Sequence, residues 1–172
     1  MKILLIGEKK RADELRTKLS SNEEFEIDYT DGEEEENFKE YDVIFDLNFD
    51  DDSSHTLNYF SLKNKPVFVS AIKQNLAEAV YAADTKIKCR LFGFNALPTF
   101  ISHSKWEISL YRKFETPELD KLMKLFAIEY SIVEDRIGLV KLRIIFMIIN
   151  EATYTLQEAT AGIEDIDLAM KL

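Results

Sequence analysis

Residues 2–6 (KILLI) form an unbroken apolar run that stops at Gly7, the pattern of a strand buried on both faces. Ala12, Leu15 and Leu19 then fall on one helical stripe, with charged residues filling the other faces. Phe25, Ile27 and Tyr29 alternate with polar residues, predicting a half-buried strand closed by the turn pair Asp31-Gly32. An acidic run at 33–36 reads as a solvated loop. Residues 42–47 (DVIFDL) predict the next strand, and the acids at 50–52 a solvated turn. Ser53 and Ser54 are positioned to cap a short helix ending at Phe60. Pro66 opens a strand over 66–70, where its missing N–H is tolerated. Leu76, Ala79, Val80 and Ala83 make a helical stripe, and residues 90–94 (RLFGF) another strand. Beyond Pro98 the pattern predicts a strand over 106–111, a helix over 117–127 with Thr116 as N-cap, and a strand over 130–133. Strands and helices alternate with short connections, which predicts βαβ units and a largely parallel, Rossmann-like sheet with helices on both faces.

From Gly138 the pattern changes. Apolar residues dominate 139–149 and leave almost no polar face over about three turns, so this helix has to be covered nearly all round. A break at Ala161-Gly162 leads to a second helix over 164–172, with acids in its first turn. Two short helices cover little apolar surface between them, so a homodimer through residues 138–172 is expected. The predicted domains are a shortened sheet domain over 1–135 and a helical segment over 136–172.

Composition narrows the classes of function. The chain has 172 residues, 46% of them hydrophobic and 12% aromatic, enough for a real core. Its net charge of -10, with 22 Lys and Arg spread along the chain, argues against a nucleic-acid partner. Cys89 stands alone, excluding a disulfide framework; a lone thiol of this kind reads as a strand-edge cysteine. The N-terminal run is too short for a signal peptide, and Lys141 and Arg143 interrupt the longest apolar stretch. No membrane span is therefore expected, and a cytoplasmic location is. His55 and His103 lie far apart without ligand spacing, so no metal site is expected.

Residues 133–172 (VEDRIGLVKLRIIFMIINEATYTLQEATAGIEDIDLAMKL) resemble the start of the C-terminal domain of the 3-hydroxyacyl-CoA dehydrogenases, including the 3-hydroxybutyryl-CoA enzymes. The pieces that carry the likeness are Val133, Asp135, Gly138, Val140, Arg143, Asn150-Glu151-Ala152 and the run 164–172. KILLIG at the start resembles that family's first Rossmann strand. RLFGFNALP at 90–98 resembles its R-V-I-G-x-H-F-F-N-P, and Trp106-Glu107-Ile108 its L-V-E-V strand. The resemblance implies NAD as the cofactor, if there is one, and a place in fatty-acid metabolism. It also implies a truncated chain that ends before the last helices of the family's acyl-CoA site.

The departures fall where the family does its chemistry. Its G-x-G-x-x-G becomes Gly7-Glu8-Lys9-Lys10-Arg11-Ala12, so Lys9 replaces the glycine that lets backbone approach the pyrophosphate. Lys9, Lys10 and Arg11 could instead hold some anion at a helix start. The family's catalytic His aligns with Asn95 and its catalytic Asn with Leu142, neither of which can do the same work. Glu107 is a residual carboxylate, one residue out of register, and Ser70 the one Ser kept from a Ser/Asn-rich loop. Asp31 stands where a Rossmann acid would reach a ribose, although a loop acid is the plainer reading. A general base contributes about 10²–10⁴ in rate, and this chain lacks it together with the cofactor cradle. The expectation is a non-catalytic pseudoenzyme, a dimeric binding or regulatory module with no cofactor. The alternatives are an active NAD(H)-dependent 3-hydroxyacyl-CoA dehydrogenase or reductase with Glu107 as base, and a partner of a full-length dehydrogenase.

Overall fold

A computed structural model of the chain describes residues 1–20, 22–32, 37–52 and 56–171. The acidic run at 33–36, the Ser53/Ser54 cap, His55 and Leu172 lie outside the described residues. Seven strands form one sheet: β1 (Lys2–Ile6), β2 (Glu26–Thr30), β3 (Val43–Asp46), β4 (Pro66–Ser70), β5 (Arg90–Phe94), β6 (Lys105–Leu110) and β7 (Glu129–Ile132). Their spatial order is β2-β1-β3-β4-β5-β6-β7. The first five are parallel, β6 runs antiparallel to β5, and β7 is parallel to β6. The reversal has a local cause. Residues 95–104 contain no helix, and a parallel return needs a crossover of a dozen residues or more.

Helices α1 (Lys9–Leu19) and α4 (Thr116–Leu125) pack on one face of the sheet; α2 (Thr56–Phe60) and α3 (Leu76–Ala82) pack on the other. The first face holds a linked aromatic core, with Phe68 in ring contact with Phe45, Phe92, Phe94 and Phe126. Leu4, Ile6, Ile44, Val67 and Leu91 supply the second face, because successive residues of a strand point to opposite sides.

Three local expectations are corrected. Thr116 is the first residue of α4 rather than its N-cap, and its hydroxyl donates to the Lys113 carbonyl at 2.8 Å. Cys89 is not an edge thiol: it is fully buried, and burial pushes its thiol up to about 12. Asp50 is no solvated turn residue: its carboxylate accepts from the Ser70 hydroxyl and from the Ile72 and Lys73 amides.

The chain divides into two units, Met1–Leu139 and Val140–Leu172. The second contains α5 (Lys141–Gln157) and α6 (Ile163–Ala169). The chain leaves α5 through Ala159, whose positive φ of 54° ends the helix two residues before the predicted break. The expectation that this helix is covered nearly all round is not met within the chain. Leu142 is buried, but residues 144–149 are each 39–69% exposed. Among the described residues no helix is long and apolar enough to cross a membrane.

Candidate functional site

In an open α/β sheet, ligands bind beyond the carboxyl ends of the strands, where the strand order reverses. Here that point lies between β1 and β3, since β2 lies on one side of β1 and β3 on the other. Gly7 ends β1 at φ +122°, a conformation open to glycine. Its amide donates to the Thr30 carbonyl at 3.0 Å, and its own carbonyl accepts from the Tyr29 hydroxyl at 3.0 Å. The space above it is taken. A Cβ on Gly7 would lie 2.9 Å from the Asn48 Cβ and 3.0 Å from the Asn48 nitrogen. The segment after β3 therefore sits directly against the end of β1.

Arg11, in the first turn of α1, crosses from the helix to that same segment. Its Nη1 donates to the Leu47 carbonyl at 2.7 Å, and its Nη2 lies 3.6 Å from the Asp51 carboxylate. Nε is 3.2 Å from Glu8, close enough for ionic attraction but outside hydrogen-bond geometry. Most of the side chain is withdrawn from solvent. The guanidinium that the sequence grouped with Lys9 and Lys10 as a candidate anion holder is thus committed to the chain's own groups.

Asp46, the last residue of β3, is fully buried. It accepts from the Tyr59 hydroxyl at 2.9 Å and from the Asn48 amide at 3.1 Å. Burial raises its pKa to about 7, against the lowering effect of the Tyr59 and backbone hydrogen bonds. Four residues on, the Asp50 carboxylate enters the loop that follows β4. It accepts from the Ser70 hydroxyl at 2.7 Å, the Ile72 amide at 2.9 Å and the Lys73 amide at 2.8 Å. Successive amides converging on one point make an anion-binding concavity. In this chain the anion is Asp50. Asp51 beside it pairs with Lys73 and with Arg11.

The same solution recurs twice. Asp135 accepts from the Leu76 and Ala77 amides at 3.0 and 3.2 Å and from the Ser109 hydroxyl at 3.4 Å, capping α3 together with Asn75. Glu14 accepts from the Thr99 and Ser102 amides at 3.1 and 2.9 Å. Near Asp135 the sheet is also tightly filled: a Cβ on Gly93 would meet the Ser109 Oγ at 2.5 Å and the Ala71 Cβ at 2.8 Å. A hollow of about 670 Å³ lies beside Asp135, lined by Tyr111, Lys113, Ile132 and Arg136 among others. None of its lining residues belongs to the β1/β3 crevice.

The residues singled out from the sequence are dispersed by these contacts. Gly7 stands at the head of the crevice, and Lys9 begins α1 as an exposed residue. Asp31 follows β2 on an exposed turn. Ser70 is buried and spends its hydroxyl on Asp50. The side-chain oxygen of Asn95 accepts from the Leu97 amide at 3.0 Å, closing a tight turn after β5. Glu107 sits half-buried on β6, opposite Ser131 of β7. Leu142 belongs to the second unit, buried on α5. Sequence reasoning missed Asn48, Asp46 and Asp50. For Asp46 a signal existed, an acid inside the apolar run DVIFDL. For the other two there was none.

Asp50→Ala leaves two amides and a hydroxyl without their acceptor and is expected to cost about 1–3 kcal/mol. Urea denaturation measures the loss, and faster hydrogen exchange at the Ile72 and Lys73 amides locates it.

No family model matches the sequence, and no curated protein matches it. Solved structures do. A 3-hydroxyacyl-CoA dehydrogenase from Archaeoglobus fulgidus superimposes with a TM-score of 0.74 at 15% identity, over 99% of this chain and 68% of that one. An (S)-3-hydroxybutyryl-CoA dehydrogenase from Ralstonia eutropha gives 0.67 at 15% identity, over 99% and 76%. The fold is that of the 3-hydroxyacyl-CoA dehydrogenases. It is shared more distantly with other Rossmann-fold reductases, such as a pyrroline-5-carboxylate reductase from Coxiella burnetii at a TM-score of 0.56, 11% identity and coverage of 98% and 75%.

Proposed function

We propose that this chain is a non-catalytic relative of the dehydrogenases whose fold it shares, acting as a dimeric binding or regulatory module. The observation that carries the reading is the Asp50 carboxylate seated in the loop after β4, on the segment that also sets Asn48 against Gly7. Several groups that a dinucleotide would need are engaged within the chain.

The residues at the head of the crevice do not fit a nicotinamide dinucleotide. A pyrophosphate needs bare backbone at the second glycine position, and Lys9 stands there. It needs positive potential at the start of α1, and one of the first-turn cations, Arg11, is tied to Leu47 and Asp51, with the Glu8 carboxylate alongside. The family positions for proton transfer and substrate orientation hold Asn95 and Leu142, and neither can act as a base at neutral pH. Dimerisation is supported by the exposed apolar residues of α5, since a row of that length facing solvent marks an interaction surface.

Titration with NADH, followed by its fluorescence, together with an acetoacetyl-CoA reduction assay, tests the non-catalytic reading. The expected result is no saturable binding below roughly 1 mM and no turnover. Saturable binding with turnover overturns it in favour of an active dehydrogenase.

A further inference from the structure

We propose that the hollow beside Asp135 binds a small monocarboxylate with an apolar body, its carboxylate held by Arg136 and the Tyr111 hydroxyl. The hollow shares no residue with the β1/β3 crevice, so this site stands whether or not a dinucleotide binds there.

The reversal of β6 builds the hollow. Because β6 runs antiparallel to β5, its end at Leu110 lies opposite Phe92, and the Tyr111 amide goes on to donate to the Leu91 carbonyl at 3.1 Å. β7 runs parallel to β6, so the segments that follow the two strands leave the sheet on the same side and meet the first residues of α3 and α4 around one space. Every lining residue belongs to the unit Met1–Leu139. At about 670 Å³ the hollow falls within the range of roughly 300–1,000 Å³ usual for small-molecule sites. Leu110, Ile132 and Val133 supply its apolar surface, with Ile132 49% exposed.

The polar groups around it divide into those already used and those still open. Asp135 is spent on the Leu76 and Ala77 amides and the Ser109 hydroxyl. Glu134 is paired with Lys113 at 3.1 Å, and the Thr116 hydroxyl donates to the Lys113 carbonyl. The Asn75 Oδ1 accepts from the Glu78 amide at 2.8 Å. What remains is a set of donors. Among the described residues the Arg136 guanidinium, the Tyr111 hydroxyl and the Asn75 NH2 have no hydrogen-bond partner, and Arg136 has no ion pair. With both neighbouring carboxylates engaged, the hollow holds a cation and no anion for it.

The backbone of Arg136 is held on both sides. Asp135 before it is anchored to α3. After it the Gly138 amide donates to the Ile72 carbonyl at 2.9 Å, and the Leu139 amide closes a turn on the Arg136 carbonyl at 2.9 Å. A backbone fixed in this way lowers the ordering cost of binding. A guanidinium presents its N–H groups as a planar fork that matches the two oxygens of a carboxylate. A dianion such as phosphate suits the hollow less, since one open guanidinium would face two charges with the Glu134 carboxylate nearby. The net charge of -10 repels anions at longer range, so the affinity is modest.

Titration of the full, isotope-labelled chain with 2-naphthoate, followed by its amide chemical shifts, tests the site. Saturable shifts centred on Tyr111, Ile132 and Arg136 are expected, with a Kd of roughly 0.1–1 mM. 2-Naphthamide, the same ring without the charge, is expected to bind at least about tenfold more weakly. Arg136→Gln is expected to weaken 2-naphthoate binding by roughly tenfold and Tyr111→Phe by about threefold. Arg143→Gln, which removes an exposed cation of α5, is expected to leave it unchanged. Unchanged Trp106 fluorescence and circular dichroism confirm that each variant folds. No saturation up to about 10 mM, shifts confined to α5, or equal affinity in wild type and Arg136→Gln each overturn the site. Equal affinity for the amide and the carboxylate overturns the assignment of the ligand's charge.

Discussion

Between about pH 5 and about pH 8 the folded state is expected to lose about 2–3 kcal/mol of stability through Asp46 alone, and Asp46→Asn to remove that loss. The sign follows from which state holds the proton. Burial raises the folded pKa to about 7 from the ordinary value of 3.8, so between those values the folded chain binds more protons than the unfolded one. The contribution is fully present below about pH 4 and is lost as the pH rises through the folded value near neutrality. Asparagine suits the exchange. Its oxygen can accept from the Asn48 amide and its NH2 can donate to the Tyr59 hydroxyl, with no charge to desolvate. Denaturant midpoints across the pH range, compared between wild type and variant, measure the effect. Equal slopes in the two proteins would show that Asp46 does not titrate there.

Phe68→Ala is expected to cost about 3–5 kcal/mol, a large fraction of the 5–15 kcal/mol typical of a domain. Phe68 lies on β4, the middle strand of the sheet, with no exposed surface. Its ring stacks on Phe45 at 4.8 Å and touches Phe92 at 5.0 Å, so truncation opens a cavity bordered by stiff aromatic neighbours. Phe114, 78% exposed, is the control: its truncation is expected to change stability by no more than about 0.5 kcal/mol. Trp106, the single tryptophan, stacks on Phe94 at 5.1 Å and reports unfolding of the sheet unit. The readout therefore separates this unit from Val140–Leu172.

The strands were legible because each is a short apolar or alternating run bounded by turn residues. Pro66–Ser70 and Arg90–Phe94 lie where the pattern puts them, and Glu26–Thr30 is displaced by one residue. The likeness of residues 133–172 to a dehydrogenase domain led to the fold that the structural comparisons bear out. The direction of β6 was less accessible. Alternation identifies a strand but not its sense, and the absence of a crossover helix in 95–104 decided it. The apolar pattern of α5 states a need for cover without saying which molecule provides it, and within one chain residues 144–149 stay exposed.

The candidate site separates the two levels most clearly. Periodicity and residue identity alone were enough for the alternation of strand and helix, the Rossmann-like sheet, and the presence of Lys9, Asn95 and Leu142 where the resemblance expects a glycine, a His and an Asn. What the acids do depends on contacts made across the fold. Asp50 reaches amides 22 and 23 residues away, and Asp135 an amide 59 residues away. A carboxylate in a solvated turn and one that caps another element have the same local sequence. They are told apart when folding brings unpaired backbone N–H groups to them, because a buried donor without an acceptor costs more than the hydrogen bond contributes.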